Sequence, residues 1–154
     1  LPYSLIIDYA HTPDALEKAL RACREITDGK LICVFGCGGN RDKGKRHEMG
    51  EIACSLSDLA VITSDNPRNE APEEIIHDIV KGLDGRFMNY KTVVDREKAI
   101  EYAMDIAKSG DTVILAGKGH EDYQEIRGVK HPMDERDLIR DILAEGHIPG
   151  SAAK

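Results

Sequence analysis

Five times along this chain a short apolar run leads through a polar loop into apolar residues at helical spacing. Alternation of that kind limits the fold to an open, mostly parallel α/β sheet. The runs fall at residues 4–8, 31–35, 59–63, 91–94 (the weakest) and 112–116. The second is apolar throughout, as suits a strand covered on both faces. Helical patterns are predicted at 13–27, 47–56, 72–83, about 95–107 and 134–144. The first carries Leu16, Ala19, Leu20, Cys23 and Ile26 on one stripe, behind Thr12 as N-cap and Pro13 at the first helical position. Acidic residues open the third, and Asp95 and Asp134 cap the last two. Residues 123–127 with Gly128 suggest a short hairpin. The predicted architecture is a Rossmann-like open, mostly parallel sheet of about six strands, with helices on both faces and one antiparallel edge strand. Residues 1–145 form the domain and 146–154 a flexible tail.

A chain of 154 residues, 41% apolar and 32% charged, can bury one substantial core. A net charge of -7 with no long block of like charge argues against a general nucleic-acid surface, despite a basic cluster at residues 41–46. No apolar run reaches the ~18 residues of a membrane span, and no signal peptide opens the chain. Cys23, Cys33, Cys37 and Cys54 include no CxxC pair and lie mostly in apolar segments, so reduced, buried thiols and a cytoplasmic location are expected. The chain opens on Leu1 and runs almost at once into a strand, which suggests a piece of a longer protein.

In such a sheet ligands sit beyond the carboxyl ends of the strands. The loops there read DYAHTPD, GCGGNRDKGKR, DNPRNE and GKGHEDYQ, all rich in charge or glycine. In the third, Pro67 fixes its own φ and biases Asn66 towards an extended conformation. Arg68 offers a planar fork for a carboxylate and Asp65 a carboxylate for an ammonium, so the loop could receive a small zwitterion; a solvated turn is the alternative. Residues 39–45, opened by Gly39 and closed by Lys45, satisfy GxxxxGK, nearly a phosphate-binding loop. Arg46, however, stands where that motif needs Ser or Thr, and the interior from Asn40 to Lys43 is bulky. Gly36, Gly38 and Gly39 with Arg41, Lys43, Lys45 and Arg46 would still suit an anion. Asp8 could accept from ribose hydroxyls, with His11 on the same loop; helix capping is the alternative. Gly117 would turn backbone towards a ligand and Glu121 could pair with an ammonium, unless this is an ordinary loop, which also contains His120. His47, His77, His131 and His147 read as surface or packing residues. No HExxH or EF-hand pattern is present, so no protein-only metal site is expected.

Together DYAHTPD, VFGCGGNRDKGKR, DNPR and LAGKGHEDYQ resemble, in order and over nearly the whole chain, the C-terminal domain of the Mur ligases. DNPR resembles the motif of those members that add meso-diaminopimelate as the third residue of the peptidoglycan stem peptide. The resemblance implies an ATP- and Mg2+-dependent amide ligase of cell-wall synthesis, and hence of cell shape and division. Its carboxylate substrate would be UDP-MurNAc-L-Ala-D-Glu, activated as an acyl phosphate and attacked by the amine of diaminopimelate. It further implies that Arg41, Asp65, Asn66, Pro67, Arg68, Gly117 and Glu121 form the diaminopimelate site, Arg68 as carboxylate clamp. Asp8 and His11 would face the nucleotide. ATP and magnesium would be held mainly by a central ATPase domain and the UDP-sugar by an N-terminal one. Neither matches any segment here, so this chain alone would carry no catalytic residue and be inactive. Rival readings are a freestanding nucleotide-binding module using residues 39–45, a non-enzymatic interaction domain, or a ligase for lysine or another diamino diacid such as LL-diaminopimelate or lanthionine.

Overall fold

β2 (Leu31–Phe35) and β5 (Thr112–Ala116) are buried at every residue, as strands at the centre of a sheet covered on both faces must be. A computed structural model describes residues 1–39, 41–83, 85–119 and 121–145. Asn40, His120, His147 and the tail expected at 146–154 lie outside the described residues. β1 (Ser4–Asp8), β3 (Leu59–Ile62) and β4 (Tyr90–Thr92) complete a five-stranded sheet of order β1-β5-β2-β3-β4, with every pair parallel.

This order assigns the helices to faces. From β1 through β4 the chain moves across the sheet in one direction, and right-handed crossovers keep α1 (Pro13–Glu25), α2 (Gly44–Leu56) and α3 (Pro72–Val80) on one side. The step from β4 back to β5 reverses direction, so α4 (Arg96–Ile106) covers the other face, joined there by the α5 residue Ile142 (α5, Glu135–Ala144). Alternate residues of the central strands feed the two cores. Cys33 and Phe35 face α1–α3, whereas Ile32 and Val34 face α4. The register sets Asp8 beside Ala116 and Phe35 beside Ile62, which brings the carboxyl ends level at one rim.

The expected antiparallel sixth strand is not part of this sheet. β6 (Tyr123–Ile126) and β7 (Val129–Pro132) pair only with each other, and the edges remain β1 and β4. The hairpin is captured by the loop after β3 instead: the Arg68 amide donates to Glu125 O at 2.9 Å, within an isolated parallel bridge between Arg68 and Ile126. Helix limits also shift. α1 stops at Glu25, where the hydroxyl of Thr27 takes up Cys23 O and meets Thr112 Oγ1 at 2.8 Å. α2 starts at Gly44, whose amide donates to Asp42 Oδ1 at 2.9 Å. α3 ends at Val80, so Leu83 reaches the core from a turn. Thr12 and Asp134 cap as expected, accepting from Ala15 N and Arg136 N. All four cysteines are buried and free, and burial pushes the Cys54 thiol up to about 11.

The first residue of α4 ties this architecture to its rim. Arg96, 1% exposed, donates from Nη1 to Ser64 O at 2.9 Å and from Nη2 to Ala116 O at 3.1 Å. Its Nε meets Glu135 Oε2 at 2.6 Å, with both side chains fully buried. Burial opposes the charge, but Glu135, and after it Asp65, outweigh that and raise the arginine pKa. One guanidinium thus joins the ends of β3 and β5 to α5. Removing one partner of a buried pair strands the other charge, at roughly 3–5 kcal/mol, whereas replacing both by apolar groups can be nearly neutral. Glu135→Leu is therefore expected to lower urea-unfolding stability by about that amount, and Arg96→Met/Glu135→Leu to lose less than the sum of the two single variants, since Arg96→Met also strands Ser64 O and Ala116 O. Additive losses would contradict the pairing.

Candidate functional site

Beyond the level strand ends lies a cleft of about 380 Å³. Arg41, Asp65, Asn66, Arg68, Gly117 and Glu121 all line it, with His11 on its β1 side. Residues from four different strand ends therefore meet in one cavity, as the carboxyl-end rule anticipates. Two further sequence candidates are not on its lining. Pro67 is buried behind the loop, and Asp8 turns its carboxylate back to accept from Ala10 N at 2.9 Å.

The loop after β3 is held from three directions. Thr63 and Ser64 donate their hydroxyls to Val94 O at 3.2 and 2.7 Å. On the β2 side, Gly39 N donates to Asn66 O at 2.7 Å, and a Cβ on Gly39 would stand 1.8 Å from Pro67 O. Gly36 is equally confined, its Cβ position lying 2.3 Å from Thr63 O. On the hairpin side, Gln124 Nε2 donates to Asp65 O at 2.8 Å and Glu125 N to Asn66 Oδ1 at 2.9 Å. Between these supports Arg68 adopts φ 54°, a left-handed conformation costly for a residue with a Cβ. Its Nη1 donates to Gly39 O at 3.0 Å and its Nε lies 3.5 Å from Glu125 Oε1, which aims the guanidinium across the cleft wall.

Lys118, between Gly117 and Gly119, was not singled out in the sequence, yet it is fully buried at this wall. Its Nζ donates to Asn66 Oδ1 at 2.8 Å and to Tyr123 O at 2.9 Å. Asp65 Oδ1 lies 3.3 Å away, close enough for an ion pair but outside hydrogen-bond geometry, and Glu121 Oε1 is at 3.8 Å. Burial lowers the lysine pKa, and Asp65 works against that shift. Gly119, at φ 52°, packs onto Tyr9, where a Cβ would lie 2.9 Å from Tyr9 Cβ.

In the glycine-rich loop after β2, Gly39 serves packing: its amide bonds Asn66 O, and the Pro67 carbonyl fills the space where a Cβ would stand. Arg46 is likewise not a free cation of the cleft. It is 1% exposed and bonds Glu70 at 2.7 Å, Asp78 at 2.9 Å and Gly38 O at 3.1 Å, locking the loop to α3. Arg41 and Lys45 stay exposed at the lip, and Lys43, also exposed, lies 3.8 Å from Glu70 Oε1. Cys37 borders the cleft beside Met49, and burial pushes its thiol up to about 12. His11 is exposed, with Nδ1 2.9 Å from Tyr9 O. Among the described residues no group of three or more His, Cys, Asp or Glu is placed to hold a metal, and no helix is long and apolar enough to cross a membrane.

Fold and cleft define a class: a doubly wound α/β domain whose rim presents arginines and carboxylates from several loops to one small cavity. A family profile described as "Mur ligase, glutamate ligase domain" matches residues 2–119, and the chain belongs to that family. It is 54% identical over 145 residues to the UDP-N-acetylmuramoyl-L-alanyl-D-glutamate--2,6-diaminopimelate ligase 1 of Clostridium acetobutylicum, covering 94% of this chain and 30% of that protein. It is 55% identical over 143 residues to the ligase of the same name, without the final numeral, from Aquifex aeolicus, covering 92% of this chain and 29% of that protein. A solved structure of a ligase of that name superposes with a TM-score of 0.91 at 41% identity, covering 96% of this chain and 30% of its own. The chain thus spans under a third of the length of these relatives.

Gly39 tests the docking of the two loops. Gly39→Ala is expected to lose about 1–3 kcal/mol in urea unfolding, as overpacked sites do. Gly44→Ala is the control, because a Cβ there meets only the Asp42 carboxylate at 3.3 Å. Equal stability of the two variants would remove the contact with Pro67 as the reason for glycine.

Proposed function

We propose that this chain is the amino-acid-binding domain of an ATP-dependent amide ligase that adds meso-diaminopimelate to UDP-MurNAc-L-Ala-D-Glu. One observation carries the reading: Arg68 and Glu121, on loops after different strands, border the same cleft together with Asp65 and Asn66. Diaminopimelate carries an ammonium and a carboxylate at each end. Arg68 clamps the distal carboxylate with donors remaining beyond those it uses on Gly39 O and Glu125. Asn66, whose Oδ1 is engaged by Lys118 and Glu125 N, offers its Nδ2 to the same carboxylate. Asp65 and Glu121 accept the distal ammonium, with the Gly117 backbone beside it, and Arg41 at the lip meets the proximal carboxylate.

The names of the Clostridium acetobutylicum and Aquifex aeolicus relatives support the substrate. Lysine lacks the distal carboxylate, so binding it leaves the remaining donors of Arg68 without an acceptor. Sites built for a polar group reject analogues lacking it by roughly 10⁴ or more in favourable cases. ATP and magnesium belong, on this reading, to a central domain of the complete protein. On the same reading Asp8 and His11 face the nucleotide, and the reaction takes place in the cytoplasm once the domains close. This chain alone binds and presents the amine.

In the complete protein, Arg68→Ala is expected to raise KM for meso-diaminopimelate by roughly 10- to 100-fold, the range for losing a charge-assisted bidentate contact. KM for ATP should stay within about threefold, since the nucleotide is held elsewhere. Steady-state kinetics with each substrate varied in turn decides it; an unchanged KM for diaminopimelate removes the clamp.

A further inference from the structure

The structure assigns to Lys118 the role of a positioning residue that sets the choice between a diacid diamine and a simple diamine. The inference rests on the diaminopimelate reading and deepens it. Lys118 is fully buried, so its ammonium acts through its neighbours and not on a ligand. Two of its contacts fix shape. By donating to Asn66 Oδ1 at 2.8 Å it holds that end of the amide as an acceptor, leaving Nδ2 as the donor end at the cleft. By donating to Tyr123 O at 2.9 Å it ties the hairpin to the same point.

The other two contacts fix charge. Asp65 and Glu121 lie 3.3 and 3.8 Å from Lys118, which offsets part of their negative charge and leaves the remainder for a ligand ammonium. Arg68 and Asn66 Nδ2 then supply donors that only a carboxylate satisfies. Without the lysine Asp65 and Glu121 would lose the ammonium they share, and one of the two bonds that hold the Asn66 oxygen inward would be lost. Such a wall suits a bare ammonium better than an ammonium next to a carboxylate. Lys118 therefore disfavours lysine as a substrate although it touches neither substrate.

The test uses the complete protein, with Lys118→Met, similar in length but uncharged, and Lys118→Gln, which keeps a donor for Asn66 Oδ1 but no charge. Folding of each is checked by its melting temperature. Lys118→Met is expected to raise KM for meso-diaminopimelate roughly tenfold or more, the scale of losing a hydrogen bond to a charged group. KM for ATP should be unchanged, and kcat/KM for diaminopimelate relative to L-lysine should fall by at least about tenfold. Lys118→Gln should raise KM less but narrow the discrimination similarly. A folded variant of either kind with unchanged KM and unchanged discrimination overturns the assignment, as does an equal loss for every substrate, which marks a merely structural role. If Lys118→Met does not fold, Lys118→Gln alone decides. Arg68→Ala, measured in parallel, keeps the two ideas apart. No effect of Arg68→Ala on diaminopimelate sinks the substrate reading, whereas an Arg68 effect without a Lys118 effect sinks only this inference.

Discussion

The ends of β3 and β5 are joined by charge rather than by apolar contact, and the cleft depends on that joint. Where a parallel ladder stops, backbone carbonyls lose their strand partners and need donors from elsewhere. Arg96 supplies them to Ser64 O and Ala116 O, the carbonyls immediately before Asp65 and Gly117. Lys118 supplies the next layer, to Asn66 Oδ1 and Tyr123 O. Each cation has its own carboxylate, Glu135 for Arg96 and Asp65 for Lys118, so neither is left as an unpaired buried charge. The result is a pair of loops whose side chains are set before any ligand arrives, which limits the ordering entropy that binding must overcome.

The hairpin and the glycines serve the same joint. β6 adds no strand to the sheet; it lends backbone and side-chain donors to residues 65–68 and holds Arg68 in a conformation that would otherwise be unfavourable. On the opposite side Gly36 and Gly39 let the β2 loop approach that backbone closely. Arg46 then fastens the β2 loop to Glu70 and Asp78, so a short stretch after β3 is gripped by β2, α3 and the hairpin together. A strained arginine persists because its surroundings over-determine it.

The sheet was legible because its signals are local. Apolar runs bounded by turns mark 4–8, 31–35 and 112–116 with the observed limits, and Thr12 and Asp134 announce their helices. The hairpin was legible as a hairpin but not in its place, since sequence spacing does not reveal that its partner is a loop. The glycines after β2 looked like a cradle for an anion because close approach requires glycine whether the visitor is phosphate or protein backbone; Pro67 O is the visitor here. Arg46, Arg96 and Lys118 were illegible for a different reason. Long cations are expected at the surface, and only tertiary contacts reveal which ones are drawn inward. The one available hint was Lys118 flanked by glycines, a backbone free to turn a side chain into the wall.

What the cleft groups are not prepared to do is as informative as what they hold. The thiol at its border, Cys37, is kept protonated at neutral pH by burial, first of all, and by Asp65. Asp65 is tied to Lys118, and Glu121 lies near the same ammonium and 3.5 Å from the Tyr123 hydroxyl. Arg68 is engaged with Gly39 O and Glu125. None of these groups pairs a nucleophile with a base in the way covalent or acid–base chemistry requires. They are instead acceptors and donors of fixed direction, suited to gripping one end of a charged molecule and leaving the other end free. On the proposed reading that free end is the reacting amine. The same reading leaves activation of the carboxylate to another domain, and would put selectivity and chemistry on opposite sides of an interface that closes before the amide forms.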